Sequence, residues 1–118
     1  MSKQKIIIYE KPTCSTCRVV IKELENAGKE LKKINYYKTP MTETGLKALL
    51  KKMKMKPREL LRTKEVMYKK LGLAKKEVSD GELIRLMVKY PDLMQRPIVV
   101  KGNTVILARP IERVKQLL

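Results

Sequence analysis

Cys14-Ser15-Thr16-Cys17 holds both cysteines of this 118-residue chain, three positions apart, with Pro12 before them and Arg18 after. A thiolate is a strong nucleophile, and two thiols at this spacing can also cycle as a disulfide. Nucleophilic or redox chemistry is therefore the first expectation, with Cys14 as the attacking sulfur. Two other readings stay open at this point. The pair can be half of a zinc site, although the chain has no further Cys and no His, so carboxylates or a second subunit must complete it. The cysteines can also be inert packing groups. The turn setting between Pro12 and Arg18 argues against burial in an apolar core.

The elements that must position these thiols follow from the pattern around them. Lys5 to Tyr9 (KIIIY) is β-branched and aromatic, which predicts a buried strand, and Val20, Leu24 and Ala27 recur at helical spacing until Gly28 stops the run. The cysteines thus sit at a strand-to-helix junction, where unpaired backbone N–H groups and the helix dipole favour a thiolate. Leu31 to Tyr37 supplies a second strand with Ile34 and Tyr36 on one face, completing a β-α-β unit, and Thr39-Pro40 breaks it. From Thr42 to about Tyr90 the pattern is helical. Leu46, Leu49, Leu50 and Met53 form one stripe, Pro57 restarts the chain, Gly72 ends a short helix over 64–71, and Ser79-x-x-Glu82 is a capping box ahead of Leu83, Leu86, Met87 and Tyr90. Pro97 to Lys101 and Thr104 to Ala108 are predicted antiparallel strands joined at Gly102-Asn103. Pro110 opens a last helix whose stripe is Ile111, Val114 and Leu117 or Leu118. The order predicts an α/β class and one domain over 1–118, with a helical insert over about 42–90 between the second and third strands.

Composition bounds the partners. Lys and Arg number 28 against 12 Asp and Glu, a net +16, which suits an anionic substrate or partner. The sequence carries no zinc-finger or RNP-like motif, and with five Tyr but no Phe or Trp it offers few stacking platforms, so salt-sensitive non-specific attraction is expected in place of specific nucleic-acid binding. No uncharged apolar run approaches the ~18 residues of a membrane span, and MSKQK followed by a strand-length apolar run is not a secretory signal. A reducing cytoplasm is the expected setting, where a C-x-x-C cycles.

Six pieces in order carry a closer likeness: Tyr9-x-x-Pro12-x-Cys14-x-x-x-Arg18, Tyr37-x-Thr39-Pro40, Leu60-Leu61-Arg62, Leu71-Gly72-Leu73, Arg96-Pro97-Ile98-Val99-Val100 and Arg109-Pro110. The chain resembles the ArsC-type arsenate reductases and their relatives the Spx-type regulators, from Ile6 to about Leu118. The resemblance implies a thioredoxin/glutaredoxin-like fold with a mixed four-stranded sheet, Cys14 as nucleophile, and Arg62, Arg96 and Arg109 around the oxyanion. Planar guanidinium groups grip a tetrahedral oxyanion bidentately and stay charged, which a Lys cannot reproduce. Lys11 and Arg18 flank the nucleophile, and Pro97 is expected to be cis and to fix the Arg96 backbone beside the thiol.

The implied reaction is attack of Cys14 on arsenic(V), loss of water, and reduction to arsenite through a second thiol. No prosthetic group is implied; the electrons come from glutathione with glutaredoxin, or from thioredoxin. This chain departs from the reductases in having Glu10 where they commonly have a His, and a nearby carboxylate raises a thiol's pKa. It also has Cys17, as the regulators and some reductase-like members do, a thiol placed to resolve an adduct on Cys14 as a disulfide. The alternative implied is therefore a redox-sensing regulator that binds RNA polymerase through a Cys14–Cys17 switch. Arg62, Arg96 and Arg109-Pro110 favour the enzyme.

Overall fold

The computed structural model describes residues 5–11, 13–75 and 77–117. Pro12 and Leu118, which the sequence pattern invokes, lie outside them, as does most of the MSKQK stretch. The chain divides into two compact units: residues 1–39 with 96–118, and residues 40–95.

The first unit is a four-stranded sheet with its covering helix. Its strands are β1 (Ile6–Glu10), β2 (Leu31–Asn35), β3 (Ile98–Lys101) and β4 (Thr104–Leu107), in spatial order β2-β1-β3-β4. β1 runs parallel to β2 with Ile8 opposite Lys33, and antiparallel to β3 with Ile8 opposite Val99. β3 and β4 form the hairpin that Gly102-Asn103 predicts, Lys101 pairing with Thr104. Gly102 takes φ +60 at the first central position, the place where a hairpin turn of the II′ kind needs glycine.

Helix α1 (Ser15–Asn26) crosses from β1 to β2, as a parallel pair requires. Its Val20, Ile21 and Leu24 are buried against Ile6 and Ile8 of β1, Val99 of β3 and Ile106 of β4. Fully burying side chains of this size contributes about 1.5–3 kcal/mol each. Ala27 is exposed instead, because the helix has already ended there. Lys29 N–H reaches back to the Leu24 carbonyl at 3.1 Å and Gly28 N–H to that of Glu25 at 3.0 Å, with Gly28 left-handed at φ +74. This paired pattern satisfies the last carbonyls and turns the chain into β2.

The chain beyond Pro110 departs from the α-helix predicted there. Ile111–Leu117 is a 3₁₀ helix. Its apolar residues Ile111, Val114 and Leu117 fall every third position, which lines up one face at three residues per turn. Val114 and Leu117 join the α1 side of the core. β2 also ends earlier than expected, at Asn35, whose side-chain oxygen accepts from Tyr37 N–H at 3.0 Å and whose carbonyl accepts from Thr39 N–H at 2.9 Å, bending the chain out of the sheet.

The second unit holds α2 (Glu43–Met53), α3 (Pro57–Leu60), α4 (Val66–Lys70) and α5 (Asp80–Lys89). It is not helical throughout, as the pattern suggests. After α3 the chain extends, because Leu61 bridges Met94, Arg62 N–H donates to the Leu93 carbonyl at 2.7 Å and Gln95 N–H to that of Leu60 at 2.9 Å. Leu46 and Leu50 of α2 and Leu83, Ile84 and Met87 of α5 are buried, while Leu49, Met53, Leu86 and Tyr90 of the expected stripes are only partly covered. At α5, Ser79 Oγ accepts from Glu82 N–H at 3.2 Å, but the Glu82 carboxylate is drawn to Arg85 at 3.1 Å, so the capping box has one arm.

Candidate functional site

The sheet brings the candidate residues of the first unit to one edge. β1 and β2 are parallel, so Cys14 and the Tyr36-Tyr37 pair follow their strands at the same end. β3 is antiparallel to β1, so it begins where β1 ends, and Arg96 stands just before it. β4 runs back antiparallel to β3, and Arg109 follows its last residue by two. Binding sites of parallel α/β sheets collect at this end of the strands for the same topological reason.

Cys14 is the N-cap of α1. Its backbone is extended at φ −81, ψ 119, and its sulfur accepts from the Cys17 N–H at 3.4 Å. The loop is pinned from the other side by Cys14 N–H donating to the Lys11 carbonyl at 2.9 Å. Both sulfurs are free, and both are buried, contrary to the expectation from the turn setting: Cys14 is 8% exposed and Cys17 fully covered. The first turn of α1 points inward at Cys17, which occupies the same helix face as Val20, Ile21 and Leu24.

The two thiols are thereby made unlike each other. Burial opposes ionisation of Cys14, but hydrogen bonds from the Cys17 backbone and thiol and the adjoining Arg96 guanidinium outweigh it, and its pKa is lowered to about 7. Burial pushes Cys17 up to about 12, a hydrogen bond from the Lys11 backbone and the Arg96 charge offsetting part of this and the Cys14 sulfur adding to it. At neutral pH Cys14 is thus substantially thiolate and Cys17 its protonated neighbour.

Arg96 is 7% exposed, and its guanidinium shares the buried space with Cys14 and two tyrosines. Its Nη1 donates to the Tyr37 hydroxyl at 3.4 Å. The Tyr36 hydroxyl is buried close by, and its pKa rises to about 12 through burial, partly offset by Arg96. The two rings stand 5.0 Å apart between centroids, and Lys11 Nζ lies 5.0 Å over the Tyr37 ring. Arg109 donates from Nε to the Arg96 carbonyl at 2.8 Å and from Nη2 to Thr16 Oγ1 at 3.5 Å. The Arg96–Pro97 peptide bond is cis, as is Arg109–Pro110, and the Pro97 carbonyl accepts from Ala108 N–H at 3.0 Å.

Cys14, Cys17, Lys11, Arg96, Pro97 and Arg109 are therefore gathered at this edge. Arg18 is not drawn in: its backbone N–H closes the first turn of α1 on the Cys14 carbonyl at 3.2 Å, while its side chain is exposed. Glu10 is raised by burial, partly offset by the charge of Lys33 on β2. Arg62 belongs to the 40–95 unit, where its Nη1 is buried without a hydrogen bond and lies 3.9 Å from the Glu65 carboxylate. Sequence reasoning did not select Tyr36, Tyr37 or Thr16 as site residues. Their signal is positional: two are the first residues past the end of a parallel strand, and the third lies between the cysteines.

Among the described residues no group of three or more His, Cys, Asp or Glu could hold a metal ion. No described helix is long and apolar enough to cross a membrane.

The chain is similar to known proteins along nearly its whole length. A sequence profile described as the ArsC family matches residues 9–117. An arsenate reductase of Yersinia enterocolitica is 41% identical over 113 residues, covering 96% of this chain and 80% of that protein. The Escherichia coli K12 protein named "Uncharacterized protein YfgD" is 41% identical over 118 residues, 99% of this chain and 98% of its own length. A solved structure titled as arsenate reductase from Vibrio cholerae superposes with a TM-score of 0.93 at 34% identity, covering 99% of this chain and 100% of that one.

Proposed function

Since this chain belongs to the ArsC family, we propose that it reduces arsenate to arsenite with Cys14 as the attacking sulfur. The observation that carries this is the buried Arg96 guanidinium set against a Cys14 sulfur that already caps α1. An anionic nucleophile and a cation that can neutralise an incoming oxyanion then occupy one place. Arg96, ahead of β3, and Arg109, just past β4, offer guanidinium nitrogens at this edge. Arg62 is the third guanidinium of this reading on the strength of its Leu60-Leu61-Arg62 motif alone.

In the first step the Cys14 thiolate forms a bond to arsenic(V), and an arsenate oxygen leaves as water after taking up protons. Arginines around the remaining oxygens stabilise the charge of the adduct, as oxyanion-hole donors do. In the second step the Cys17 sulfur attacks the Cys14 sulfur. The electron pair of the S–As bond passes to arsenic, arsenite departs, and a Cys14–Cys17 disulfide remains, so two electrons from two thiols reduce arsenic(V) to arsenic(III). Burial holds the proton on Cys17 and the Cys14 anion adds to this; bonding of the Cys14 sulfur removes the second restraint, and the Cys17 proton passes to an oxygen of the departing arsenite. An external dithiol of the thioredoxin or glutaredoxin kind reopens the disulfide in the reducing cytoplasm. No prosthetic group takes part. The regulator alternative draws no support from the relatives described above.

The test is arsenate-dependent thiol oxidation with glutathione/glutaredoxin and with thioredoxin supplied separately. Turnover is expected, with none in Cys14→Ser and loss of the thioredoxin-supported rate in Cys17→Ser. Absence of turnover with every donor overturns the reductase reading. Full thioredoxin-supported turnover in Cys17→Ser overturns the intramolecular disulfide.

A further inference from the structure

The resemblance casts Arg109 as a substrate ligand, yet its guanidinium is already engaged without any substrate. A guanidinium has two usable edges: the side edge formed by Nε and one Nη, and the end edge formed by the two Nη groups. In Arg109 Nε donates to the Arg96 backbone carbonyl at 2.8 Å and Nη2 to Thr16 Oγ1 at 3.5 Å. The side edge is thus spent on the protein, and the end edge is left for an anion. The two acceptors belong to the two segments whose separation matters most to the nucleophile. Thr16 lies in the first turn of the helix that Cys14 caps, and the Arg96 carbonyl belongs to the residue whose own guanidinium adjoins Cys14.

We propose that Arg109 is a positioning residue, which ties the first turn of α1 to the start of β3 and so holds Arg96 against the Cys14 sulfur before any substrate arrives. The inference deepens the reading of Cys14 as the attacking sulfur and rests on it for its catalytic meaning. The charged and titratable groups in the same cluster are Cys17 on α1, Lys11 in the preceding loop, Tyr36 and Tyr37 beyond β2, and Arg96 ahead of β3. Of these, Arg96 is the cation that stabilises the Cys14 anion, and it is the one whose backbone Arg109 holds. Loosening the tie weakens that stabilisation while leaving the other members in place.

The test needs no arsenate. The alkylation rate of Cys14 by iodoacetamide is followed against pH in the free protein, in a Cys17→Ser background so that a single thiol reports, for the parent, Arg109→Gln, Arg109→Lys and Thr16→Val. Arg109→Gln is expected to raise the midpoint by about one pH unit, a roughly fivefold lower rate at a pH equal to the parent's midpoint. Arg109→Lys is expected to behave similarly, since an ammonium restores the charge but not the two-point edge. Thr16→Val, which keeps the side-chain shape and removes the acceptor, is expected to move the midpoint in the same direction by a smaller amount, about a twofold change in rate.

Parent-like profiles in Arg109→Gln and Thr16→Val overturn the proposal and leave Arg109 a substrate ligand alone. A parent-like profile in Arg109→Lys overturns it in favour of simple charge. If Arg109→Gln does not fold, Thr16→Val still decides, because it disturbs only one side-chain acceptor. Failure here is separable from failure of the reductase reading: the first shows in the titration with turnover intact, the second in turnover with the titration intact.

Discussion

The backbone N–H of Cys17 points at the sulfur of Cys14, 3.4 Å away, so the nucleophile is also the cap of the helix that carries its neighbour. One hydrogen bond therefore serves folding and reactivity together. Sulfur accepts weakly when protonated and strongly as an anion, which links helix stability to the state of the thiol.

Opposite pH signatures are expected for the two cysteines. Cys14 is lowered from 9.0 to about 7 in the fold, so its ionisation stabilises the native state. That contribution is full above the unfolded value and is lost as pH falls through about 7. Cys17 is raised from 9.0 to about 12. It costs nothing below 9, and the penalty for keeping it neutral grows as pH rises from there toward 12. Urea unfolding at pH 6 to 9 should show wild type gaining stability over Cys14→Ser by on the order of 1 kcal/mol across the window. A flat difference would sink the assignment of Cys14 as a native-state thiolate.

Replacing Arg96 by Gln should separate charge from shape. The side chain is nearly covered, and its loss leaves the Cys14 anion without its cation and the Tyr37 hydroxyl without the 3.4 Å donor. The alkylation midpoint of Cys14 should move up from about 7, and arsenate turnover should fall roughly 100-fold, the usual scale for losing one preorganised donor to developing charge. An unchanged midpoint would show that the helix mouth alone sustains the thiolate.

Gly28→Ala should destabilise although there is room for the methyl group. No atom lies within 4 Å of a Cβ built there, but the residue sits at φ +74. The left-handed conformation costs a non-glycine residue roughly 1–2 kcal/mol. A fall of that size in unfolding free energy is expected, with the denaturant slope unchanged, and a neutral result would mean the turn readjusts.

Ser79→Ala removes the single side-chain cap of α5, the 3.2 Å bond to Glu82 N–H. A loss of about 1 kcal/mol is expected. For a chain of this size that is a drop of roughly 3–6 °C in melting temperature. Ser79→Asp should retain most of the stability, because a carboxylate caps the same N–H and complements the dipole.

The local elements were legible in the residue order because their causes are local. β-branched runs marked β1, β3 and β4, the faces of Ile34 and Tyr36 marked the region of β2, Gly28 marked the end of α1, and Gly102-Asn103 marked the hairpin. Cys14 was legible as the thiol at the helix mouth for the same reason, since a strand followed by helical spacing places it there without reference to the rest of the chain. Ile111, Val114 and Leu117 fit an α-helical stripe in the sequence, but their strict three-residue interval is the mark of the tighter helix that formed.

The inequality of the two cysteines begins with the local cap, where Cys17 donates to the Cys14 sulfur, and is completed by the tertiary structure. The tertiary part arises because β3 runs antiparallel to β1 and delivers Arg96 to Cys14 from 82 positions along the sequence, while α1 packs Cys17 face-down on the sheet. The same crossing brings Tyr37 to Arg96, and Arg109 to Thr16. Spacing along a chain encodes periods and turns, but a desolvation penalty and a cation a few ångströms away depend on which distant strands become neighbours. The residue order determined that Cys14 stands at a helix start; the sheet order decided that a buried guanidinium meets it there and that Cys17 is buried behind it.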